Sequence, residues 1–464
     1  MGAEDNHYDI IIIGGGSAGY AAARTALEYT QKVAVVDGSD ELGGLCILKG
    51  CMPSKTLLYT AELVHSVQKG TRLGIQQNRV RVDVAALQER KRQLISGFAG
   101  YRAGQLQDGR FTLYRSNARF LDHLTIQLAD GTELWADKYV IATGSRVDAP
   151  DIRGLNTVGY LTSDDILSAE EFPASMVVLG GGIVACELAQ FLNRAGVEVT
   201  LIQRSAHLIK EFSVEAGTVL KRAMQAEGIR VFTDTALDWV RRVEGSVMVQ
   251  FQHQGITHLA HGQAVLNALG RKPNTEFLDL ENADIQISPS GHIQTNMMQQ
   301  STNPAVYAAG DCAGPAEIVH VAILQGENAV HHALGGKVRE VDYDSLTRVV
   351  FTDPQIAAVG LGRAELEMRS CDFLEAIYPF GDHGKSLIMD ALYGFVRVYA
   401  ERSSGTILGA ECVGRDGGEL MHSLAVAVSN RLTLQDMLKV QWYHPTLSEI
   451  WTYPIEELQE SVAG

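Results

Sequence analysis

The sequence predicts an α/β chain in which two doubly wound, parallel-sheet units are followed by a C-terminal α+β domain. Three observations carry this prediction. A strand, a glycine turn, a helix and a second strand follow one another near the N-terminus, and the same succession recurs around residue 180. Beyond about residue 346, strands alternate with helices without a third copy of that unit. The 464 residues are about three times the ~150 expected of one domain, which leaves room for all of these parts. Glycine, at 46 of 464, exceeds the usual ~7% and points to tight turns and close backbone approach. A formal charge of -16 opposes binding to polyphosphate or to anionic membranes, so neither nucleic acid nor membrane is an expected partner.

Residues 8–13 form a β-branched run that ends in Gly14-Gly15-Gly16-Ser17-Ala18-Gly19; a helix is expected over 20–28 and a strand over 33–36, closing on Asp37. The pattern is that of a Rossmann-like dinucleotide-binding unit. Gly14 permits the turn, Gly16 lets backbone approach a pyrophosphate, Gly19 lets helix and strand pack closely, and Asp37 accepts hydrogen bonds from a ribose. The second copy runs from a strand over 176–179 through Gly180-Gly181-Gly182-Ile183-Val184-Ala185 to a helix over 186–194 and a strand over 197–202. Counting the 23 residues from Gly14 to Asp37 forward from Gly180 reaches Gln203, which is neutral, followed by Arg204 and then by Lys210. An acid at that place repels a 2'-phosphate, whereas Arg204 can bind one, so the second unit is expected to prefer NADPH, with NADH as the alternative.

Between the copies lies Gly43-Gly44-Leu45-Cys46-Ile47-Leu48-Lys49-Gly50-Cys51-Met52-Pro53-Ser54-Lys55. Cys46 and Cys51 are close to one helical turn apart, so both sulfurs can share a face and form a disulfide. A metal site needs two further ligands that no nearby cluster supplies, and an inert buried pair is the other alternative. Cys186, Cys312, Cys371 and Cys412 stand alone and are expected to be packing residues. Six cysteines are too few for a disulfide-stapled scaffold. The acidic opening and the shortness of the apolar runs 10–23 and 176–186 match neither a signal peptide nor a membrane span, and the expected location is cytoplasmic.

Taken in order, the two glycine motifs, Cys46-x4-Cys51 with Pro53-Ser54-Lys55, Ala142-Thr143-Gly144, Glu187, Gly270-Arg271-Lys272-Pro273-Asn274, Ala309-Gly310-Asp311 and His444-Pro445-Thr446-Leu447-Ser448-Glu449 resemble the FAD-dependent pyridine nucleotide-disulfide oxidoreductases along essentially the whole chain. The Met-Pro-Ser-Lys run, His320 and the His444 motif are most similar to dihydrolipoamide dehydrogenase. Gln203-Arg204-Ser205 looks more like the NADPH site of glutathione reductase or mercuric reductase. Mercuric reductase activity is disfavoured by His444 and by the lack of a terminal cysteine pair. Ser461-Val462-Ala463-Gly464 likewise lacks the second redox centre of large thioredoxin reductases. Leu45, Leu48 and Lys49, where the family usually has Thr and Asn-Val, and the bulky Trp442 and Tyr443 depart from the pattern around the disulfide, and so bear on the substrate.

The resemblance implies FAD held by Gly14, Gly16, Gly19, Asp37, Gly44, Lys55, Thr143, Gly144 and Asp311. It implies NADPH held by Gly180, Gly182, Ala185, Gln203, Arg204, Lys210, Gly270 and Arg271. Cys51 lies against the flavin and Cys46 is the exposed interchange thiol. His444 is the base that makes a thiolate available, and Glu449 orients its ring. Lys55 and Glu187 pair beside the flavin. The histidine serves the disulfide of a second copy, which implies a homodimer. The other thirteen histidines, Arg90-Lys91-Arg92 and Arg241-Arg242 are read as packing or solvated groups.

Four regions are expected: an FAD-binding domain over 1–148, an NAD(P)-binding domain over 149–270, a central region over 271–345 that completes the FAD site, and a dimerisation domain over 346–464. The expected function is transfer of electrons between NAD(P)H, FAD, the Cys46–Cys51 disulfide and a lipoyl-type disulfide, free or on a lipoyl-carrying protein. The alternatives are a reductase of glutathione or another small disulfide and, in a different class, a non-catalytic flavoprotein redox sensor.

Overall fold

The computed structural model describes residues 6–76 and 80–463; Gly464 of the closing tetrapeptide lies outside them. Two compact units divide the chain. The first comprises the residues up to Thr56, Gln88–Asp148 and Gly270–Val341, and the second comprises Leu57–Leu87, Ala149–Leu269 and the residues from Asp342 onward.

In the first unit, strand β1 (His7–Ile13), helix α1 (Ser17–Ala26) and strand β2 (Val33–Val36) form the expected succession. Helices α2 (Gly44–Leu48), α3 (Cys51–Lys69) and α4 (Val84–Gln107) follow, and α3 and α4 each run across a boundary between the units. The sheet order is Thr112–Tyr114, β2, β1, Glu133–Ile141, Thr125–Leu128 and Ala118–Phe120, with Val306–Ala308 also paired to Glu133–Ile141. β1 and β2 are parallel, with Ile10 opposite Val33 and Ile13 opposite Val36. Ile10, Ile11 and Ile12 are all fully buried because the parallel part of this mixed sheet is covered on both faces. Ile10 and Ile12 pack with alanines of α1 and of helix Val319–Ala333, while Ile11 and Ile13 point the other way into a cluster with Tyr139, Leu280 and Cys312.

The second unit repeats this scheme with strand Ser175–Leu179, helix Ile183–Arg194 and strand Glu198–Ile202. Its parallel sheet runs Arg230–Phe232, Glu198–Ile202, Ser175–Leu179, Ala264–Asn267. Met176 and Val178 pack with Cys186, Ala189 and Phe191, and Val177 and Leu179 with Val240, Val249 and Phe251 of an antiparallel three-stranded meander. The C-terminal part is a five-stranded antiparallel sheet, ordered Thr347–Val350, Gln355–Gly360, Ile407–Gly414, Phe395–Glu401, Phe373–Pro379, with helix Gly417–Ser429 on one face. Among the described residues no helix is long and apolar enough to cross a membrane.

One charge assignment needs correction. Lys91 is buried, not solvated, and loss of water pushes its pKa down. Arg242 is exposed, and its Nε and Nη2 also donate to the Val158 carbonyl at 3.1 and 2.8 Å. A run of like charges gives no sign of which member the fold turns inward.

Candidate active site

The first glycine turn leaves the start of α1 open. Its N-cap is Gly16, which carries no capping side chain, so the first backbone N–H groups and the positive end of the helix dipole are available to an anion. Gly14 has φ +106°, and a Cβ there would run into the Ala142 carbonyl oxygen. A Cβ on Gly44 would come within 2.6 Å of the Gly16 Cα, so the start of α2 lies directly against the turn. Gly15 N donates to Asp37 Oδ2 at 2.7 Å, and Ser39 N donates to Oδ1 at 2.9 Å, which fixes the carboxylate at the mouth of the turn. Glycine backbone, an uncapped helix start and a fixed carboxylate match the pyrophosphate and ribose of a dinucleotide such as FAD.

Other residues singled out in the sequence gather in the same unit. Thr143 Oγ1 donates to the Asn274 carbonyl at 2.7 Å and Asn274 Nδ2 donates to the Thr143 carbonyl at 3.0 Å, which ties the Ala142-Thr143-Gly144 turn to the Gly270–Asn274 segment. Asp311 Oδ2 accepts from Ser145 Oγ at 2.6 Å, and that hydroxyl accepts from Arg271 Nε at 2.9 Å. Arg271, expected at the nicotinamide cofactor, is thus engaged beside Asp311 in the first unit. Sequence order gives no hint of this relay, because Ser145 belongs to no motif.

In the second glycine turn Gly180 has φ +114° against the Ala268 carbonyl, Gly182 caps the helix without a side chain, and Ala185 is fully buried in place of the third glycine. A Cβ on Gly181 would lie 2.8 Å from the Gln203 stem, the place taken by the Asp37 carboxylate in the first copy. Gln203 is buried, whereas Arg204 and Lys210 are exposed. Glu187 is buried and accepts from Phe351 N at 2.9 Å. Lys55 lies on α3 within the first unit.

The cysteine pair differs from its expected setting. Cys46 and Cys51 are not on one continuous helix: α2 ends at Leu48, and α3 begins at Cys51. The break falls at Gly50, where a Cβ would stand 2.9 Å from the Leu45 carbonyl oxygen, so the chain turns tightly between them. Both are free thiols in this structure. The Cys46 S–H is hydrogen-bonded to Cys51, and this bond, followed by burial, pushes the Cys46 pKa up. The Cys51 backbone N–H and the Arg102 guanidinium oppose that rise. Arg102 itself packs over the Tyr20 ring at 4.1 Å. Cys51 is exposed and Cys46 is half-buried, the reverse of the order of accessibility that the resemblance implies for the chain with its flavin in place.

In the second unit, His444 and Glu449 meet as expected. His444 Nδ1 lies 3.0 Å from Glu449 Oε2 and 3.1 Å from Oε1. The imidazole is 79% exposed while the carboxylate is buried, so one ring nitrogen is held and the other faces outward. Thr446 explains the spacing of the motif: its hydroxyl donates to the Tyr443 carbonyl at 2.7 Å and accepts from Glu449 N at 3.3 Å, which closes the turn. Trp451 anchors the segment, fully buried with Nε1 donating to the Leu420 carbonyl at 3.1 Å.

Two histidines read as packing groups touch charged centres. His383 lies 3.6 Å from Glu449. His65 Nε2 lies 3.7 Å from Glu227 and 3.9 Å from Asp353, an arrangement whose ligand atoms lie close enough for a metal ion. Arg194 already occupies both carboxylates, donating to Glu227 at 2.8 and 2.7 Å and to Asp353 at 2.9 Å, so the cluster reads as a buried ion-pair network. Burial, then the Arg194 charge, pushes His65 down to about 4.

Residues 8–326 match the family described as pyridine nucleotide-disulphide oxidoreductase, and residues 346–454 match its dimerisation domain. The chain belongs to the pyridine nucleotide-disulphide oxidoreductases. Members are FAD-dependent and use NAD(P)H, and the dimerisation domain supports a homodimer. The oxidoreductase is 33% identical over 434 residues to a mercuric reductase of Staphylococcus aureus, covering 93% of this chain and 79% of that one. It is 29% identical over 446 residues to a dihydrolipoyl dehydrogenase of Geobacillus stearothermophilus, covering 95% and 94%. The crystal structure of LpdA from Mycobacterium tuberculosis superposes with a TM-score of 0.87 at 27% identity, covering 97% of this chain and 99% of that one.

Proposed function

We propose that this oxidoreductase passes electrons from NADPH to a lipoyl-type disulfide through the Cys46–Cys51 pair. The hydrogen bond between the Cys46 and Cys51 thiols, beside a glycine turn suited to FAD, carries this reading. When bound, FAD supplies the two-electron link between a nicotinamide hydride and the cysteines. Gly14, Gly16, Gly44, Asp37 and Asp311 would hold it, and Cys51 would face it.

With the pair reduced, Cys46 loses its proton to His444 of a second copy and attacks one sulfur of the substrate. The sulfur–sulfur bond breaks, the leaving sulfur takes a proton, and a mixed disulfide forms. Cys51 then displaces the second substrate sulfur from Cys46, so that one dithiol leaves and the Cys46–Cys51 disulfide carries the two-electron oxidation. Glu449 holds the His444 Nδ1–H and leaves Nε2 for the proton. NADPH is favoured by neutral Gln203 at the place of Asp37 and by exposed Arg204 and Lys210.

The test is the initial rate of NADPH oxidation by the yellow protein with lipoamide, against glutathione disulfide and Hg(II) as competing acceptors and NADH as competing donor. Turnover with lipoamide supports the reading. Turnover with glutathione disulfide or Hg(II) alone replaces it with a small-disulfide or mercuric reductase. His444→Ala should keep reduction of FAD by NADPH and lose most disulfide turnover; unchanged turnover removes His444 as the base.

A further inference from the structure

Glu449 stands between two histidines, and only one of them belongs to the motif that singled it out. His444 is largely exposed on one side; His383, whose side chain is 0% exposed, lies on the other, with Nε2 at 3.6 Å from Glu449 Oε1. That distance is longer than a hydrogen bond, and His383 Nε2 has no hydrogen-bond partner among the described residues. His383 Nδ1 lies 2.9 Å from Ser386 Oγ. A serine hydroxyl that donates to Nδ1 leaves the proton on Nε2, where it faces the carboxylate. The opposite tautomer would place a bare nitrogen lone pair against a buried anion.

We propose that His383 is a positioning residue, a neutral imidazole whose Nε2–H shares the charge of Glu449 and holds that carboxylate in the orientation that grips His444 Nδ1. This inference rests on the proposed role of His444. A neutral partner suits the place: burial pushes the His383 pKa down, against Glu449, which raises it, and His444, which lowers it further. The titratable groups that face it are Glu449, His444 and Tyr453, whose ring meets His383 edge-on with centroids 6.1 Å apart; Tyr378 stacks on Tyr453 at 4.0 Å. Asp382 and Lys385 flank it on its own turn.

The experiment uses the full-length, flavin-loaded protein and compares His383→Phe, His383→Gln and His444→Ala. The pH profile of disulfide turnover is measured together with the ionisation of His444, read by hydrogen–deuterium exchange at its ring carbon. In His383→Phe the Glu449 charge bears wholly on His444. The pH profile of turnover should therefore shift, and kcat for disulfide reduction should fall several-fold with KM little changed. His383→Gln, whose amide N–H can face Glu449, should restore both. Reduction of FAD by NADPH and the thermal melt serve as controls for folding. An unchanged pH profile and unchanged His444 ionisation in His383→Phe overturn the proposal, as does equal impairment in Phe and Gln variants whose melts match the parent. Loss of turnover in His444→Ala with no effect of His383→Phe removes this inference alone; retained turnover in His444→Ala removes the base itself.

Discussion

The two glycine turns share a backbone but differ in what stands at the end of the second strand. In each, a glycine with φ above +100° packs on the carbonyl of an alanine, Ala142 for Gly14 and Ala268 for Gly180, and each helix starts on a glycine with no capping side chain. The difference lies at Asp37 and Gln203. Asp37 accepts the Gly15 N–H and places a negative charge at the turn, whereas Gln203 fills the same space with a neutral stem and leaves Arg204 exposed beside it. One scaffold thus offers either an acceptor for ribose hydroxyls or room and positive charge for a phosphate, and the choice costs a single residue. The helix ends differ too. Arg24, in the last turn of α1, meets Glu327 at 2.7 Å with over half of its side chain exposed, while Arg194, in the last turn of the matching helix, is buried against Glu227 and Asp353.

The largest effect is expected where that contrast is sharpest. Arg194→Ala should cost about 3–5 kcal/mol because it removes the charge partner of Glu227, whose side chain is 9% exposed, and of half-buried Asp353, and Arg24→Ala at most about 1 kcal/mol, as usual for an exposed pair. Urea unfolding of both variants measures this; equal losses would mean that burial does not distinguish the two helix ends. Next come the turns. Gly14→Ala and Gly180→Ala each force an unfavourable backbone conformation, ~1–3 kcal/mol before any clash, with separable consequences. Gly14→Ala should lose flavin absorbance, whereas Gly180→Ala should keep the flavin but lose its reduction by NADPH.

A smaller change is expected from Arg204→Ala. The ratio of NADPH to NADH efficiency should fall by ~10-fold or more, the worth of one charge-assisted bond to phosphate. An unchanged ratio would leave Gln203 alone to account for any preference. A pH-dependent effect is expected at His65. Its folded pKa of about 4 lies below its ordinary 6.5, so between those values the unfolded chain takes up a proton that the folded chain does not. Stability present above pH 6.5 is therefore lost as the pH falls toward 4. His65→Leu should flatten that part of the profile of melting temperature against pH, and a parallel profile would place the acid sensitivity elsewhere.

Both nucleotide units, the cysteine pair and the His444–Glu449 dyad were legible in the sequence, because local backbone rules fix glycine turns and because a histidine and a glutamate five residues apart meet within one short turn closed by Thr446. The helix break between Cys46 and Cys51 was less so. Their spacing suits a single helix as well as a tight turn, and only the close approach of Gly50 to Leu45 decides. His383, His65, Ser145 and Lys91 carry no local signal at all. Glu449, Asp353 and Asp311, which His383, His65 and Ser145 meet, lie tens to hundreds of residues away in sequence, and which charges the fold shuts away from water is set by packing. The sequence by itself thus determined the repeated turns and the chemistry they present, since those depend on residues within a few positions of one another. The tertiary structure alone decided which histidine stands behind Glu449 and which arginine is buried, because burial and long-range contact belong to the folded chain.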